Sequence, residues 1–173
     1  MPITLHEAFV PSCLQVLGSV RALVDRAEAW CAEQGCDAAT LADARLHPTM
    51  LPFPFQVKSV IHHSWGAIEA VRAGVAGPPP GEMPADFAVM RDRLAAAADG
   101  LAAVSVDEME GFIGRDMRFE VGSLKLPFTV ESYLLSFAQP NFYFHASMIY
   151  AIMRERGVGL GKRDFLGALR LKL

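Results

Sequence analysis

The sequence predicts an all-α fold, a bundle of four long helices that carries one small β-hairpin. Four segments repeat apolar residues at steps of three and four, the spacing that places them on one face of a helix. One segment, 115–128, instead alternates apolar and polar residues, which is the pattern of a strand. Of the 173 residues 52% are hydrophobic and 20% charged. This composition supplies one folded core and excludes intrinsic disorder.

The first long helix is predicted from Thr4 to about residue 34. Thr4 and Glu7 fit a capping box, and Gly35 is a favoured residue just past a helix end. Pro11 lies inside the run and is expected to kink the helix or delay its start. The apolar face is formed by Phe9, Cys13, Val16, Val20, Val24, Ala27 and Cys31.

Two further long helices are predicted over residues 53–74 and 84–104. A short helix over residues 38–45, capped by Asp37, and a proline-punctuated connector precede the second long helix. The proline-rich segment 77–81 cannot be helical and separates the second long helix from the third. The inner faces are formed by Val57, Val60, Ile61, Ser64, Ile68, Val71 and Val75 in the second helix, and by Phe87, Met90, Leu94, Ala97, Leu101 and Val104 in the third.

The alternating segment predicts a hairpin with a two-residue turn at Gly122 and Ser123. Glycine at the first turn position suits a type II′ turn. The predicted register pairs Val121 with Leu124, Phe119 with Leu126, and Met117 with Phe128. All six side chains would then lie on the sheet face toward the helices.

The fourth long helix is predicted from Thr129, its cap, to about residue 156, before Gly157. At about 100° per residue, its inward face holds Phe137, Ala138, Asn141, His145, Met148, Ile149 and Ile152. His145 is near the middle of this face, and Asn141 lies one turn earlier, at the spacing that lets two side chains share a ligand.

The chain has five histidines. His145 is either a hydrogen-bonded core histidine or a metal ligand, and its position leaves both open. His63 lies at the margin of the apolar face of the second helix, where it is a packing residue or a ligand. His62 points to the more polar side, and adjacent helical residues, about 100° apart, rarely serve one site. His6 and His47 are expected to be solvated.

The three cysteines do not form a disulfide framework or a zinc site. Cys13 and Cys31 are about 27 Å apart along one helix at ~1.5 Å per residue, so they indicate core positions. Cys31 and Cys36 have a C-x₄-C spacing without the second ligand pair that zinc requires.

Charge and hydropathy exclude two classes of partner. The net charge is −3, whereas a protein that binds nucleic acid needs a basic surface. Segment 132–153 has no charged residue, but the polar residues around Pro140 favour a helix buried in protein over one buried in lipid. A signal peptide begins with a positively charged region, but no lysine or arginine precedes Arg21. We therefore expect a cytoplasmic protein with no membrane partner.

Four motifs give the chain a family resemblance. The string LLSFAQPNFYFH at 134–145 is one, and GKRDFLG at 161–167 is another. The others are residues 44–46 with Pro48, Met50 and Pro52, and His63 with Gly66. Together they resemble an uncharacterised bacterial family of the DinB-like superfamily over nearly the whole chain. The resemblance implies one domain, 1–173, folded as a DinB-like four-helix bundle of the up-down-down-up type and often dimeric.

The resemblance also implies a metal site. Many members of the superfamily hold a divalent ion with one histidine on the second helix and an H-x-x-x-H pair on the fourth. By position these ligands are His63, Asn141 and His145, with an amide in place of the first histidine of the pair. An amide is a poorer ligand for Zn²⁺ or Ni²⁺ than imidazole, so an ion would be weakly bound or absent.

Two hypotheses for function follow. The first is a metal-dependent thiol transferase or hydrolase that acts on a small electrophile, as some members of the superfamily do. The second is a homodimeric bundle that binds a small ligand or a partner at a degenerate metal site. We favour the second, because the third histidine is missing.

Overall fold

The computed structural model describes residues 2–37 and 39–172, and most of them are helical. The long helical segments are α1 (Leu5–Gln34), α3 (Phe53–His62) followed by α4 (Trp65–Ala73), α5 (Phe87–Ala102), and a fourth composed of α7 (Val130–Ser132), a π-helical turn (Tyr133–Ala138) and α8 (Gln139–Glu155). The short helices are α2 (Ala39–Ala42), α6 (Val106–Glu110) and α9 (Lys162–Leu166). The strands are β1 (Val75–Ala76), β2 (Asp116–Val121) and β3 (Leu124–Thr129). The predicted all-α class with a small β part is confirmed.

The core lies between the four long segments. Helix α1 packs against α5 and α8, α3 packs against α8, and α4 packs against α5. Side chains from each segment are fully buried there, among them Phe9, Phe53, Ile68, Leu101 and Phe142.

The predicted limits of α1 are confirmed, and its start is not delayed by Pro11. Thr4 Oγ1 accepts from the Glu7 N–H at 3.0 Å, and Glu7 Oε2 accepts from the Thr4 N–H at 3.3 Å. The capping box therefore holds the first turn, and the helix continues through Pro11.

Two predicted helices are shorter than expected. Of the segment 38–45, the structure has helix only at Ala39–Ala42, and Ala38 lies outside the described residues. The Ala44 carbonyl accepts from the Phe53 N–H at 3.0 Å. This carbonyl therefore bonds the first residue of α3 and does not extend α2 by a further turn. Helix α5 begins at Phe87 because Asp86 caps it, its side chain accepting from the Val89 N–H at 3.0 Å.

The prediction of one uninterrupted helix over residues 53–74 is wrong. The helix ends at His62 and begins again at Trp65, and Ser64 has non-helical angles of φ −110° and ψ −91°. The buried Ser64 hydroxyl donates to the Val60 carbonyl at 2.7 Å and lies 3.1 Å from the Ile61 carbonyl. A side chain that bonds its own backbone in this way competes with the helical ladder.

The predicted inward face of the fourth helix is also displaced. Its fully buried residues include Ala138, Phe142, Ala146, Ile149, Ile152 and Met153. Asn141, His145 and Met148 are only half-buried, so His145 lies beside the apolar face and not at its centre. The π-helical turn accounts for the shift, because its extra residue changes the angle at which every later side chain projects.

The hairpin has the predicted register, with Phe119 opposite Leu126 and Val121 opposite Leu124. Gly122 has φ +55°, and no described residue other than glycine has a positive φ, so Ser123 completes a type II′ turn. The expectation that all six apolar residues face the helices is wrong at the tip. Val121 and Leu124 are 42% and 50% exposed because the hairpin extends past the bundle.

The two-residue strand β1 was not predicted. It pairs in parallel with β2, Val75 opposite Arg118, and makes the sheet three-stranded in the order β1-β2-β3. A strand this short leaves no alternating pattern to detect.

Helix α1 is the one helix among the described residues that is long and apolar enough to cross a membrane. Half of its most apolar window is buried by the other helices. Its apolar residues Phe9, Cys13, Val20 and Val24 belong to the core, which is typical of the central helix of a soluble fold.

Candidate functional site: a histidine pair between the second and fourth helices

The packing of α3 against α8 brings together two of the three predicted site residues. His63 follows the last turn of α3, and His145 lies on α8. Their rings are parallel, with an angle of 4° between the planes and 5.7 Å between the centroids. We call these two residues the histidine pair.

A buried glutamine fixes the orientation of His145. Gln56 is 2% exposed, and its amide nitrogen donates to the Leu51 carbonyl at 2.6 Å. Its oxygen lies 2.7 Å from His145 Nδ1. Since that oxygen can only accept, Nδ1 carries the hydrogen and Nε2 of a neutral ring is left with its lone pair.

His63 is the more deeply buried member of the pair, at 6% exposed. Its Nδ1 is buried and has no hydrogen-bond partner among the residues that the structure describes, and the same holds for the hydroxyl of Ser59 one turn earlier. The ring of Phe137 contacts it edge-on, at 6.1 Å between centroids. A buried polar atom without a partner is costly, so this nitrogen is an available ligand atom.

Burial keeps both rings neutral. Burial, together with charge repulsion from His62 and His145, lowers the pKa of His63 to about 3. Burial, with repulsion from His62, lowers the pKa of His145 to about 4. At neutral pH both residues are therefore unprotonated, the form that binds a metal or accepts a hydrogen bond.

Asn141 does not point its amide nitrogen at the pair. That nitrogen donates to the Phe137 carbonyl at 2.7 Å, one turn back on the same helix, and leaves only the amide oxygen as a further ligand atom.

His62 lies closer to the pair than the sequence suggested. Its ring centroid is 5.0 Å from that of His63, because the helix stops between them and Trp65 and no longer keeps adjacent side chains apart. Its Nε2 is 2.8 Å from the Gly77 carbonyl, so this histidine holds the chain after α4. Burial lowers its pKa, the bond to Gly77 raises it, and Lys58 lowers it.

The remaining histidines lie outside this site. His6 Nε2 is 3.1 Å from the Val104 carbonyl, so the half-buried His6 is bound to protein and is not freely solvated. His47 is exposed as expected, and its Nδ1 is 2.9 Å from the Thr49 hydroxyl.

The residues present fit a weak metal site and not a strong one. Two neutral imidazoles lie parallel with 5.7 Å between their centroids, one with a free Nε2 and the other with a buried nitrogen that lacks a partner among the described residues. However, residues 2–37 and 39–172 include no group of three histidine, cysteine, aspartate or glutamate side chains placed to hold an ion. Zinc sites in proteins use three or four such ligands, so a two-imidazole site would need water or the Asn141 oxygen as well.

Reasoning from the sequence missed Gln56, although the spacing of the polar residues around it carries a signal. Gln56, Ser59 and His63 recur at steps of three and four, so they form a polar stripe on the inward side of an otherwise apolar helix. Such a stripe indicates a buried polar network.

A cleft opens over His145. Its volume is about 240 Å³, and it is lined by Thr49, Met50, Leu51, Phe55, Gln56, Phe144 and His145. Phe144 is 53% exposed and stands at 5.2 Å from the His145 ring, centroid to centroid. The cleft is thus mostly apolar, and its polar side chains are the imidazole of His145, the amide of Gln56 and the hydroxyl of Thr49.

Comparison with known proteins identifies the family. A search of curated proteins finds no match. A crystal structure of a DinB family member protein from Shewanella denitrificans is similar over 98% of this chain and 95% of that one, with a TM-score of 0.79 and 23% identity. At this identity the likeness shows the fold. The family model described as Domain of unknown function (DUF1993) matches residues 5–166. The chain, as its sequence motifs predicted, therefore belongs to the DUF1993 family and has the DinB-like fold.

Proposed function

We propose that this protein binds a small, mostly apolar molecule in the cleft over His145, and that the histidine pair holds a divalent metal ion weakly. The observation that carries the proposal is the bond from His145 Nδ1 to the buried Gln56 oxygen at 2.7 Å. It fixes a free acceptor, Nε2, in an apolar cleft, and a few convergent polar groups in an apolar pocket are typical of a ligand site.

The lining of the cleft defines the ligand class. Met50, Leu51, Phe55 and Phe144 supply apolar contacts, while His145 supplies one acceptor. The volume of about 240 Å³ is below the usual ~300–1,000 Å³ of drug-sized sites, so the ligand is small. A compact molecule with one apolar ring and one hydrogen-bond donor fits this description.

Phenol is a suitable probe for this site. We expect phenol added to the ¹⁵N-labelled protein to shift the amide signals of Leu51, Phe55 and Phe144, with a dissociation constant in the millimolar range. His145→Phe keeps an aromatic ring but removes the acceptor, so it should weaken binding about tenfold, the value of one hydrogen bond near 1.4 kcal/mol. Shifts elsewhere on the protein, or undiminished binding by His145→Phe, would refute the ligand site.

The metal site would use His63 Nδ1 and His145 Nε2, with the Asn141 oxygen and water as further ligands, so an ion and a hydrogen-bonded ligand would compete for the Nε2 lone pair. A bound divalent ion would act as a Lewis acid toward water or a thiol. Only two imidazoles contribute, so we expect Ni²⁺ or Zn²⁺ to dissociate readily during purification.

Calorimetry with Ni²⁺ on tag-free protein tests the metal site. We expect one site per chain, lost in His63→Ala and in His145→Ala. His47→Ala is the matched control, since His47 is exposed and lies outside the pair. If the two pair variants bind Ni²⁺ as the parent protein does, the metal site is disproved while the ligand cleft stands.

The competing hypothesis is a metal-dependent thiol transferase or hydrolase that acts on a small electrophile. It is supported by the neutral imidazoles, which leave nitrogen atoms free for an ion. It predicts that Zn²⁺-loaded protein accelerates addition of a thiol to the electrophile and that His145→Ala does not. Our proposal predicts binding without turnover.

We further propose that the protein is a cytoplasmic homodimer. Leu135 on the fourth helical segment is 40% exposed, which supplies apolar surface for a second copy. The burial of the apolar window of α1 within the bundle supports a cytoplasmic location.

A further inference from the structure

The C-terminal end of α1 brings two cysteines together. Gly35 has φ +67°, and its N–H donates to the Ala32 carbonyl at 3.3 Å, while the Cys36 N–H donates to the Cys31 carbonyl at 2.8 Å. These two bonds define a Schellman motif, in which the side chain three residues inside the helix end contacts the one just beyond the glycine. Here those two side chains are Cys31 and Cys36.

The two thiols differ in access. Cys31 is 2% exposed and Cys36 is half-buried, and both are free. The Cys31 thiol also lies 3.4 Å from the Asp37 carbonyl, to which it donates. Burial and the neighbouring Cys36 thiol raise the pKa of Cys31 to about 12, so Cys31 stays protonated at neutral pH. A reagent in solution therefore meets Cys36 first.

We propose that Cys31 and Cys36 form a redox-sensitive pair, which low-molecular-weight disulfides such as oxidised glutathione convert to an intrachain disulfide at the end of α1. The helix cap carries the argument, because it holds both sulfur atoms at one turn of the folded chain. The disulfide would take the place of the side-chain contact that normally closes this motif.

The reaction balances in two exchange steps. The Cys36 thiolate attacks one sulfur of oxidised glutathione, forms a mixed disulfide and releases one glutathione thiolate. The Cys31 thiol then loses its proton, and its thiolate attacks the Cys36 sulfur and releases the second glutathione thiolate, which takes up a proton. Two cysteine thiols are oxidised, and one glutathione disulfide is reduced to two thiols.

Peptide mass analysis of the full chain tests the pair. The protein is equilibrated with mixtures of reduced and oxidised glutathione, alkylated and cut with trypsin. Cys31 and Cys36 then share the peptide 27–45, while Cys13 lies on the peptide 1–21. We expect an unalkylated 27–45 peptide that is two hydrogen atoms lighter than the reduced one.

The same measurement in urea separates a folded-state effect from mere nearness in sequence. We expect the equilibrium constant for disulfide formation to be at least about tenfold larger in the native protein than in ~6 M urea, since a cap that already holds both sulfurs favours the bond. An equal or smaller constant in the native protein would overturn the proposal.

Two variants identify the steps. Cys31→Ala should accumulate the mixed disulfide at Cys36, and Cys36→Ser should stay reduced at Cys31. If Cys31→Ala does not fold, Cys36→Ser still decides the order of attack, because glutathione found on its Cys31 would contradict an attack that starts at Cys36.

Discussion

His63 and His145 resemble each other in chemistry but depend on different neighbours. His145 has its ring nitrogen satisfied by Gln56, whereas the buried nitrogen of His63 has no partner among the described residues. A half-satisfied polar site of this kind destabilises a core unless something else binds to it. At the scale of the residue, the unpartnered Nδ1 of His63 thus lowers the stability of the folded protein and leaves a nitrogen atom available to a ligand.

The depressed pKa values predict a pH dependence of stability. In the folded, metal-free protein His63 and His145 have pKa values of about 3 and about 4, below the ordinary 6.5. The unfolded chain therefore binds protons below pH 6.5 that the folded chain does not bind. The free energy of unfolding is consequently highest above pH 6.5 and decreases as the pH falls toward 4.

Urea unfolding of chelator-treated protein at several pH values between 7.5 and 5 measures this effect. Carboxylates titrate mostly below this window, so the slope reports histidines. His145→Gln should make the dependence shallower, and an unchanged slope would mean that His145 is not held neutral by the fold.

We expect the Asn141→His variant to bind a divalent metal ion more tightly than the parent protein does. The variant adds an imidazole one turn before His145, and imidazole is a better ligand than an amide for Zn²⁺ or Ni²⁺. We expect at least about a tenfold gain in affinity by calorimetry. Asn141→Gln is the control and should give no gain. A well-folded Asn141→His without a gain would show that His63 and His145 do not form part of a metal site.

At the scale of the element, the close contact of α4 with α5 depends on one glycine. A Cβ atom at Gly100 would lie 2.8 Å from the Trp65 ring, closer than van der Waals contact. The ring cannot yield without disturbing its stacking on Arg72, whose guanidinium is 5.1 Å from its centroid.

Gly100→Ala is therefore expected to destabilise the protein by about 1–3 kcal/mol, although alanine is the better helix former. Gly18→Ala is the matched control, since Gly18 is also helical and nothing lies within 4 Å of its added Cβ. We expect that variant to be more stable by about 0.5–1 kcal/mol. Chemical denaturation compares the two, and equal effects would contradict the steric argument.

The elements also show where reading the sequence succeeds. Local signals predicted the capping box at Thr4 and the hairpin register about Gly122, because each depends on residues near in sequence. The break at Ser64 and the π-helical turn before Gln139 left no such signal, since apolar spacing is almost the same on either side of them. Gln56 and His145 meet across 89 residues, so only the packing of α3 on α8 reveals their bond.

At the scale of the molecule, a homodimer predicts twice the chain mass. Static light scattering at micromolar concentration measures it, and we expect an interface of roughly 1,200 Å² or more in total. Leu135→Glu places a charge on the exposed apolar surface of the fourth segment and should shift the mass toward the monomer. A monomer mass for the parent protein at this concentration would refute the dimer.

The order of the three strands has a consequence for the behaviour of the protein at high concentration. The outer edges of the sheet are β1, with two residues, and β3. Pro127 on β3 lies opposite Arg118, whose N–H points away from β3 and donates to the Gly74 carbonyl at 3.3 Å. In an antiparallel pair, two opposite residues either both point their backbone N–H toward the partner strand or both point it away. The backbone nitrogen of Pro127 therefore points to the free edge of β3, where proline has no N–H to donate. Lys125, on the same strand, adds a charge to this edge. A strand from another molecule thus finds neither a full row of donors nor a neutral surface, which guards the apolar hairpin tip against aggregation by strand addition.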